Sequence, residues 1–238
     1  MTDSAPHTKP APADTSFLPG PVLLLGAPGV GKGTQAQLLM AAFGIPQIST
    51  GDILRSNIAK STPLGKAAKS VVDSGQLVPD DLVNQMVAER LAEPDARSGF
   101  ILDGFPRTLN QAIWIDQHLA AAAAALPIVA IHIAVGYDEL LHRITGRRTC
   151  PICQSIYNIY SNPPKTAGHC DYDNAELIQR PDDTEPVFIQ RMKTFENQTS
   201  PVIEHYRAQG RFREVNGEQP VELVASEITL ALRQLRLG

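Results

Sequence analysis

The stretch PVLLLGAPGVGKGTQAQ, Pro21–Gln37, determines the predicted fold. Its first six residues form a nearly continuous apolar run, which is typical of a strand covered on both faces in a parallel sheet. A glycine-rich turn follows, and a helical pattern starts at Lys32. Such a turn lets backbone N–H groups converge at the positive end of a helix. The stretch therefore predicts a loop that binds phosphate.

The spacing within this loop indicates a nucleotide as the ligand. Gly26, Gly31 and Lys32 satisfy the pattern GxxxxGK, in which the lysine reaches the β and γ phosphates. The usual pattern has Ser or Thr directly after the lysine, whereas this chain has Gly33 there and Thr34 next. The usual hydroxyl ligand of Mg²⁺ is therefore displaced by one residue, which leaves direct ligation by Thr34 open.

Further strand and helix patterns extend the same architecture. Apolar runs at Phe100–Asp103 and Ile128–Val135 predict two more buried strands. Helical patterns cover Lys32–Phe43, Asp80–Leu91, Leu109–Ala125, Asp138–Thr145, Glu185–Gln209 and Val221–Leu235. Their alternation predicts an α/β fold, with a parallel sheet between helices on both faces. Residues 49–78 and 148–183 depart from this rhythm and are predicted to be insertions into a core that spans residues 18–238.

Composition limits the possible partners. The 238 residues carry a formal net charge of −4, with 21 Lys and Arg against 25 Asp and Glu, which gives no overall attraction for nucleic acid or anionic lipid. No apolar run approaches the roughly 20 residues that cross a bilayer. The opening MTDSAPHTKPAPADTS has the composition of a disordered tail, which we predict over residues 1–17. We expect a cytoplasmic protein that binds neither membrane nor nucleic acid.

All three cysteines lie in CPICQSIYNIYSNPPKTAGHCDYD, Cys150–Asp173. Two residues separate Cys150 from Cys153, and two separate Cys170 from Asp173, which is the ligand spacing of a structural zinc site. Four protein ligands leave no open position for catalysis, so Zn²⁺ would staple the loop. His169 is the competing fourth ligand, although its adjacency to Cys170 makes simultaneous ligation awkward. Three free thiols in a polar loop are the remaining alternative.

Several motifs in chain order resemble the adenylate kinase family. They are GAPGVGKGTQA, STGDILR at Ser49–Arg55, LDGFPRT at Leu102–Thr108, GRR at Gly146–Arg148, NPPK at Asn162–Lys165 and RPDD at Arg180–Asp183. The resemblance extends from about Pro21 to the end of the chain. It implies a P-loop kinase that converts ATP and AMP to two ADP, with Mg²⁺ accompanying ATP and with a zinc-bearing lid. It also implies a monomer.

The resemblance assigns nucleotide-binding roles by position. The residues matching the ATP site are Gly29, Val30, Gly31, Lys32, Gly33, Thr34, Arg143, Arg147, Ile156, Tyr157 and Gln219. Those matching the AMP site are Thr50, Arg55, Gln76, Leu77, Val78, Gly104, Phe105, Pro106, Arg107, Gln111, Arg180 and Arg191. Within these sets, Gln111 is expected to recognise adenine, and the ring of Tyr157 either covers the base of ATP or is a core residue. Relatives often have lysine in place of Gln219, where the family's contact is made by the backbone.

Phosphoryl transfer needs positioning and charge neutralisation more than covalent chemistry. Asp103 ends a buried strand beside the phosphate loop, where a carboxylate can organise hydrated Mg²⁺. The residues expected to act in catalysis are Lys32, Asp103, Arg107, Arg147, Arg180 and Arg191. Asp182 and Asp183 either orient Arg147 or metal-bound water, or cap the following helix.

Two alternatives to this function stay open. One is a kinase that prefers another monophosphate or uses GTP, because base choice depends on the shape of the pocket. The other is a zinc-ribbon nucleic-acid-binding protein that uses the loop as a nucleotide switch, for which a contiguous basic face would be required.

Overall fold

A computed structural model describes residues 17–74, 76–121 and 126–237. Nearly all of the predicted tail therefore lies outside the described residues. At Phe17, however, the prediction of disorder is wrong. Its ring is 6% exposed, packs edge-on against Phe43 with centroids 5.8 Å apart, and lies beneath the guanidinium of Arg233 at 4.7 Å. Contacts on both sides of this ring fix it to the core.

In the described part of the chain, five strands form a parallel sheet in the order β2-β3-β1-β4-β7. The strands are β1 Pro21–Leu25, β2 Gln47–Ser49, β3 Phe100–Asp103, β4 Val129–Ala134 and β7 Phe212–Asn216. A separate antiparallel pair is formed by β5 Arg147–Thr149 and β6 Ile156–Asn158. The three apolar runs identified in the sequence supply the centre of the main sheet. The expectation of a parallel α/β sheet is confirmed.

Helices connect and cover these strands. They are α1 Lys32–Phe43, α2 Thr50–Ala59, α3 Pro63–Asp73, α4 Asp80–Leu91, α5 Leu109–Ala121, α6 Tyr137–Gly146, α7 Glu185–Thr194, α8 Ser200–Ala208 and α9 Val221–Leu237. A short 3₁₀ helix covers Pro94–Ser98. The helix predicted for Leu109–Ala125 ends at Ala121 in the described chain, and residues 122–125 lie outside it. No helix among the described residues has the length and apolar character needed to cross a membrane.

Alternate residues of the central strand serve two different cores. Leu23 and Leu25 pack into a cluster with residues of α4, α5 and α8, whereas Val22 and Leu24 pack into a cluster with residues of α1, α7 and α9. Because successive side chains of a strand point to opposite faces, helices must cover both faces of this sheet. This explains why the first strand is apolar at every position.

The helix predicted to run unbroken from Glu185 to Gln209 is instead interrupted. A π-helical turn at Phe195–Thr199 separates α7 from α8. Pro201 lies at the start of α8 and has no N–H to donate to the carbonyl four residues earlier, so a regular helix cannot continue through this point. The wider turn places Thr199 against the loop that carries Arg107.

The two predicted insertions have different structures. Residues 49–78 contain α2 and α3, which pack closely at Gly65; a side chain added there would lie 2.1 Å from the carbonyl oxygen of Asn57. Residues 148–183 contain most of the small antiparallel sheet and a small buried cluster of Cys150, Tyr157, Cys170 and Leu177. The boundaries of these segments as subdomains stay predictions.

Candidate active site

The phosphate loop joins β1 to α1, and no side chain caps the start of this helix. Gly31 is the N-cap of α1 and has φ 96°. Gly26 has φ 144°, and a β-carbon there would lie 2.7 Å from the carbonyl oxygen of Ile133. Only glycine fits at Gly26, because both the backbone conformation and the neighbouring strand exclude a side chain. The N–H groups in the first turn of α1 have no side-chain cap and can bind an anion.

Lys32 bends back over this loop. Its Nζ donates hydrogen bonds to the carbonyl oxygens of Gly26 at 2.8 Å and Ala27 at 3.1 Å. Burial lowers the pKa of Lys32 to about 8; the charge of Asp103 opposes this shift, and the charges of Arg107 and Arg191 add to it. A phosphate group bound in the loop would favour the charged ammonium, so the ligand and the protonated lysine stabilise each other.

Asp103 ends β3 next to the first turn of α1. Its Oδ2 accepts a hydrogen bond from Nε2 of Gln47 at 2.9 Å, and a β-carbon on Gly33 would approach the same oxygen to 3.8 Å. A half-buried carboxylate beside a phosphate loop offers the oxygen ligands that Mg²⁺ prefers, directly or through water. The donor set at this position fits the cation expected from the sequence.

A pocket opens between α2, α3 and the loop that follows β3. It is lined by Thr50, Gly51, Leu54, Arg55, Val72, Gln76, Leu77, Val78, Val83, Gly104, Arg107, Gln111, Asp182 and Arg191. The structure thus brings most of the predicted monophosphate-binding residues to one cavity. Thr50 Oγ1 donates to the carbonyl oxygen of Gly104 at 2.8 Å, and Arg107 Nε donates to the same oxygen at 2.7 Å.

Three residues expected in this pocket, Phe105, Pro106 and Arg180, do not line it. Phe105 is fully buried in the core and packs edge-on against Trp114, with centroids 6.1 Å apart. Pro106 is buried as well and does not belong to the lining. Burial of this apolar ring in the core anchors the loop that follows β3. Phe105 and Pro106 lie between Gly104 and Arg107 in the chain, so their burial anchors the segment that carries these two lining residues.

Arginines converge between the phosphate loop and this pocket. Burial lowers the pKa of Arg180 to about 10, and repulsion from Arg147 and Arg55 lowers it further. Burial also lowers the pKa of Arg191 to about 10, although Asp182 raises it. Several guanidinium groups thus lie near one another and partly out of water, an arrangement that is typical of a site for anions.

Acidic residues hold two of these arginines in place. Arg147 donates Nε to Asp183 at 2.8 Å and Nη2 to its other oxygen, and Arg191 donates to Asp182 at 2.8 Å. Thr184, rather than either aspartate, is the N-cap of α7. Of the two roles considered for the acidic pair, the structure supports the orientation of arginine. Arg55 is paired in a similar way with Asp52 at 2.5 Å.

The remaining residues assigned to the ATP site have different environments. Arg143 contacts Glu139 at 2.7 Å and the carbonyl oxygen of Gly217 at 3.1 Å, which places it beside the loop that carries Gln219. Ile156 is 38% exposed. The ring of Tyr157 is buried within the lid cluster, and its hydroxyl accepts a hydrogen bond from the backbone N–H of Asp171 at 2.8 Å. Tyr157 thus has the core role rather than the base-covering role in this conformation, because its hydroxyl and its ring are both used inside the lid.

The four predicted metal ligands come together. The ligand atoms of Cys150, Cys153, Cys170 and Asp173 all lie within 4.8 Å of one another. Cys153 Sγ lies 3.5 Å from Cys170 Sγ, and Cys150 Sγ lies 3.2 Å from Asp173 Oδ2. These separations suit a tetrahedral ion, for which ligands at about 2.3 Å from the metal lie about 3.8 Å apart. None of the three cysteines forms a disulfide. His169 is absent from this cluster and points Nδ1 to the carbonyl oxygen of Ala167 at 3.2 Å.

Backbone groups complete the metal centre. Sγ of Cys150 accepts hydrogen bonds from the N–H groups of Ile152 and Cys153, both at 3.4 Å. A hydrogen bond from the N–H of Ala175 lowers the pKa of Asp173 to about 2. Burial raises the pKa of Cys150 to about 11, so without a cation the thiol keeps its proton. The arrangement fits a structural cation that replaces this proton.

Sequence reasoning missed two polar residues that support the pocket. Asp80 binds both the amide of Gln111 at 2.7 Å and the hydroxyl of Thr108 at 2.8 Å. Thr199, in the π-helical turn, donates to the carbonyl oxygen of Arg107 at 2.9 Å. The Pro-Asp-Asp sequence at the start of α4 is common at helix starts, so nothing in it distinguishes Asp80 from an exposed residue of a first helical turn.

A broader depression lies elsewhere on the surface, beside α8. It has a volume of about 780 Å³ and is lined by Leu109, His132, Glu196, Ser200, Pro201, Ile203, Glu204, His205 and Arg207. Its histidines are already paired, His132 with Glu214 and His205 with Asp116, both at 2.9 Å. The phosphate loop and the converging arginines, rather than this depression, define the candidate active site.

Comparison with known proteins agrees with this location. The family model described as adenylate kinase matches residues 24–211. The chain is 47% identical over 215 residues to the adenylate kinase of Symbiobacterium thermophilum, covering 90% of this chain and 99% of that protein. It is 49% identical over 212 residues to the adenylate kinase of Citrifermentans bemidjiense, covering 89% and 99%. For the adenylate kinase of Acholeplasma laidlawii the identity is 44% over 213 residues, covering 90% and 98%.

Proposed function

Since this chain belongs to the adenylate kinase family, we propose that it transfers the γ-phosphoryl group of ATP to AMP and yields two ADP. One observation carries the proposal. Lys32 of the phosphate loop is close enough to Arg107, Arg147 and Arg191 for their charges to lower its pKa, and Arg107 and Arg191 also line the neighbouring pocket. The same cationic groups therefore face both nucleotide sites, as transfer between two bound nucleotides requires.

The donor site is formed by the loop and the first turn of α1. Backbone N–H groups and Lys32 would bind the β and γ phosphates, with Arg143 as a further phosphate-contacting arginine near the lid and the backbone of Gln219 as a further contact to ATP. Asp103 would hold Mg²⁺, which neutralises charge on the phosphate oxygens. Thr34 lies in the same helical turn, one residue further than the usual hydroxyl.

The acceptor site is the pocket between α2, α3 and the loop after β3. Arg55 and Arg107 would bind the phosphate of AMP, since a guanidinium can donate two parallel hydrogen bonds to phosphate. Thr50, Gln76, Leu77, Val78 and Gln111 would surround the adenine. An oxygen of the AMP phosphate is then the nucleophile, so no protein side chain forms a covalent intermediate.

Arg147, Arg180 and Arg191 would neutralise charge on the phosphoryl group as it moves. The paired carboxylates of Asp183 and Asp182 keep Arg147 and Arg191 in a defined orientation before the nucleotides arrive. Such groups cost no reorganisation at the moment of reaction. Lid closure over ATP would exclude the water that otherwise hydrolyses the γ phosphate.

We further propose that the Cys150, Cys153, Cys170 and Asp173 centre holds Zn²⁺ as a structural ion. The buried cluster of the lid contains few residues, so the lid has little hydrophobic core of its own. This supports a stabilising role for a metal ion. We also propose a cytoplasmic monomer, with adenine nucleotides as its ligands and no nucleic acid or membrane partner. The negative net charge supports this choice of partners.

Product analysis by chromatography tests the reaction. The purified, metal-loaded protein is mixed with Mg-ATP and, separately, with AMP, GMP, CMP or UMP. Rapid formation of ADP from AMP, with slow transfer to the other acceptors, is expected. Faster transfer to another monophosphate would reassign the acceptor, and no transfer to any of them would overturn the kinase function. A gel-shift titration at low salt then tests the nucleotide-switch alternative.

A further inference from the structure

A closed network of four polar groups lies at the floor of the monophosphate pocket. Nε2 of Gln111 donates to Oδ1 of Asp80 at 2.7 Å, and Oε1 of Gln111 accepts from the backbone N–H of Arg107 at 2.8 Å. Thr108 Oγ1 donates to Oδ2 of Asp80 at 2.8 Å. Gln111 is only 2% exposed, although it lines the pocket. We call this arrangement of Asp80, the Arg107 N–H and Gln111 the Gln111 clamp.

The chemistry of the two partners permits one orientation of the amide. A carboxylate can only accept a hydrogen bond, and a backbone N–H can only donate one. If the amide of Gln111 turned by half a rotation, its oxygen would face Asp80 and its amino group would face the N–H of Arg107. Both hydrogen bonds would be lost and replaced by repulsive contacts at a buried site. The two partners thus assign the amide oxygen and nitrogen without ambiguity.

The clamp leaves a defined pair of groups for a ligand. A glutamine amide has two N–H donors and an oxygen with two lone pairs. The clamp uses one donor and one lone pair of Gln111, so one donor and one acceptor remain, in a fixed spatial order. A glutamine without these two partners could present its donor and acceptor in either order, because its amide can rotate.

Purines with an amino group and purines with an oxo group at C6 require the donor and the acceptor of the protein in opposite spatial orders. Adenine presents a donor at its 6-amino group and an acceptor at N1. Hypoxanthine presents an acceptor at O6 and a donor at N1, in almost the same shape. A fixed amide can match only one of these edges, and a buried mismatch is penalised more than a missing contact.

We propose that Asp80 is a specificity-determining residue, which positions Gln111 so that the acceptor site selects 6-amino purines over 6-oxo purines. The proposal rests on the proposed function, in that AMP is the acceptor. It goes beyond a contact between Gln111 and the base, because it assigns the selectivity to a residue outside the pocket lining.

Asp80→Asn tests this proposal with little change of shape. An asparagine at position 80 can accept from or donate to the Gln111 amide, so only the Arg107 N–H still opposes rotation. We expect the ratio of kcat/KM for AMP to that for IMP to fall by about tenfold or more, the factor given by one discriminating hydrogen bond of about 1.4 kcal/mol. IMP is the right probe because it differs from AMP only at this edge. Asp80→Ala, which removes one partner altogether, should change the ratio in the same direction if the first variant is unstable.

Asp81→Asn is the matched control. Asp81 follows Asp80 in the first turn of α4, carries the same charge and is exposed. Its substitution should change the AMP to IMP ratio by less than twofold. An unchanged ratio in folded Asp80→Asn would overturn the proposal, as would an equal loss toward AMP and IMP, which indicates a merely structural role.

A measurement on the unaltered protein adds a second test. Purine riboside monophosphate keeps the N1 acceptor but lacks the 6-amino group, so its kcat/KM should lie between those of AMP and IMP. A value at or below that of IMP would contradict the fixed orientation. Failure of the unaltered protein to phosphorylate AMP would instead overturn the proposed function, so the two failures are distinguishable.

Discussion

Arg147 binds both carboxylate oxygens of Asp183, and the Asp183 side chain has no exposed surface. The two residues are 36 positions apart and lie at the beginning and end of the lid segment. This ion pair therefore joins the two chain segments at the base of the lid and also fixes the direction of the Arg147 guanidinium. It links the stability of the lid to the charge arrangement at the transfer site.

Asp183→Asn should damage activity more than stability. The amide cannot accept both hydrogen bonds as a carboxylate does, so Arg147 moves, and a displacement near 1 Å lowers kcat by up to about a hundredfold. The free energy of unfolding should fall by about 2 kcal/mol, less than the 3–5 kcal/mol typical of a broken buried pair, because Arg147 stays partly in water. Steady-state kinetics and urea unfolding measure the two effects.

The double variant Arg147→Met with Asp183→Asn separates these effects. Removal of both charges should restore part of the lost stability, since no unpaired buried charge remains. It should not restore kcat. Recovery of kcat in the double variant would show that Arg147 has no role in transfer.

Nucleotide binding should depend on the protonation of Lys32. Burial lowers its pKa to about 8, so the ammonium is present in the free protein below pH 8 and is increasingly neutral above it. Binding of phosphate above pH 8 must therefore take up a proton, and the affinity for ADP should fall by up to about tenfold per pH unit as pH rises. Isothermal titration calorimetry between pH 7 and 9.5 measures this dependence.

Lys32→Arg is the control for this pH dependence. A guanidinium stays protonated throughout the range, so the affinity of the variant, whatever its absolute value, should be nearly independent of pH. An equal fall of affinity in Lys32→Arg and in the unaltered protein would assign the titration to another group.

Removal of one cysteine ligand should release the lid metal. Cys170→Ser is expected to lower bound zinc from one ion per chain to a small fraction, as measured by elemental analysis after dialysis. Loss of about 1 kcal/mol or more of metal-linked stability corresponds to a fall of at least 2–4 °C in the melting temperature for a protein of this size. His169→Ala, next to Cys170, should keep the ion, because His169 lies outside the cluster. Zinc loss in His169→Ala would instead assign His169, rather than Asp173, as the fourth ligand.

Gly65→Ala should destabilise the α2 and α3 segment. An added β-carbon would overlap the backbone of Asn57 at 2.1 Å, and backbone cannot move aside as the end of a side chain does. We expect a loss of about 1–3 kcal/mol, the range for overpacking, together with a raised KM for AMP. Ser70→Ala, at an exposed position of the same helix, should leave both values nearly unchanged. Thermal unfolding and AMP kinetics compare the two variants.

The centre of the fold could be predicted because its strands are buried on both faces. β1, β3 and β4 consist of apolar runs, which the sequence displays directly. The sequence does not predict the outer strands β2 and β7: β2 has only three residues, and β7 has only two apolar residues, Phe212 and Val215, among polar ones at the sheet edge. The π-helical turn was also missed, because Pro201 near a helix start is common and does not by itself predict a wider turn.

Prediction of the candidate site depended on local motifs. The phosphate loop and the metal cluster have fixed spacings, so their members could be named from the sequence. Asp80 and Gln111 are 31 positions apart, and no spacing rule brings them together. The position of Tyr157 in the lid core likewise depends on how the lid folds, which residue type alone does not determine.

Direct transfer between two bound nucleotides is the central claim, and labelled ATP tests it most directly. The protein is incubated with ATP carrying a radioactive γ phosphate, with and without AMP, and the label is located by chromatography and on the denatured protein. We predict that the label enters ADP only when AMP is present and that none stays on the protein. Label bound covalently to the protein, or release of labelled inorganic phosphate without ADP labelling, would contradict this account.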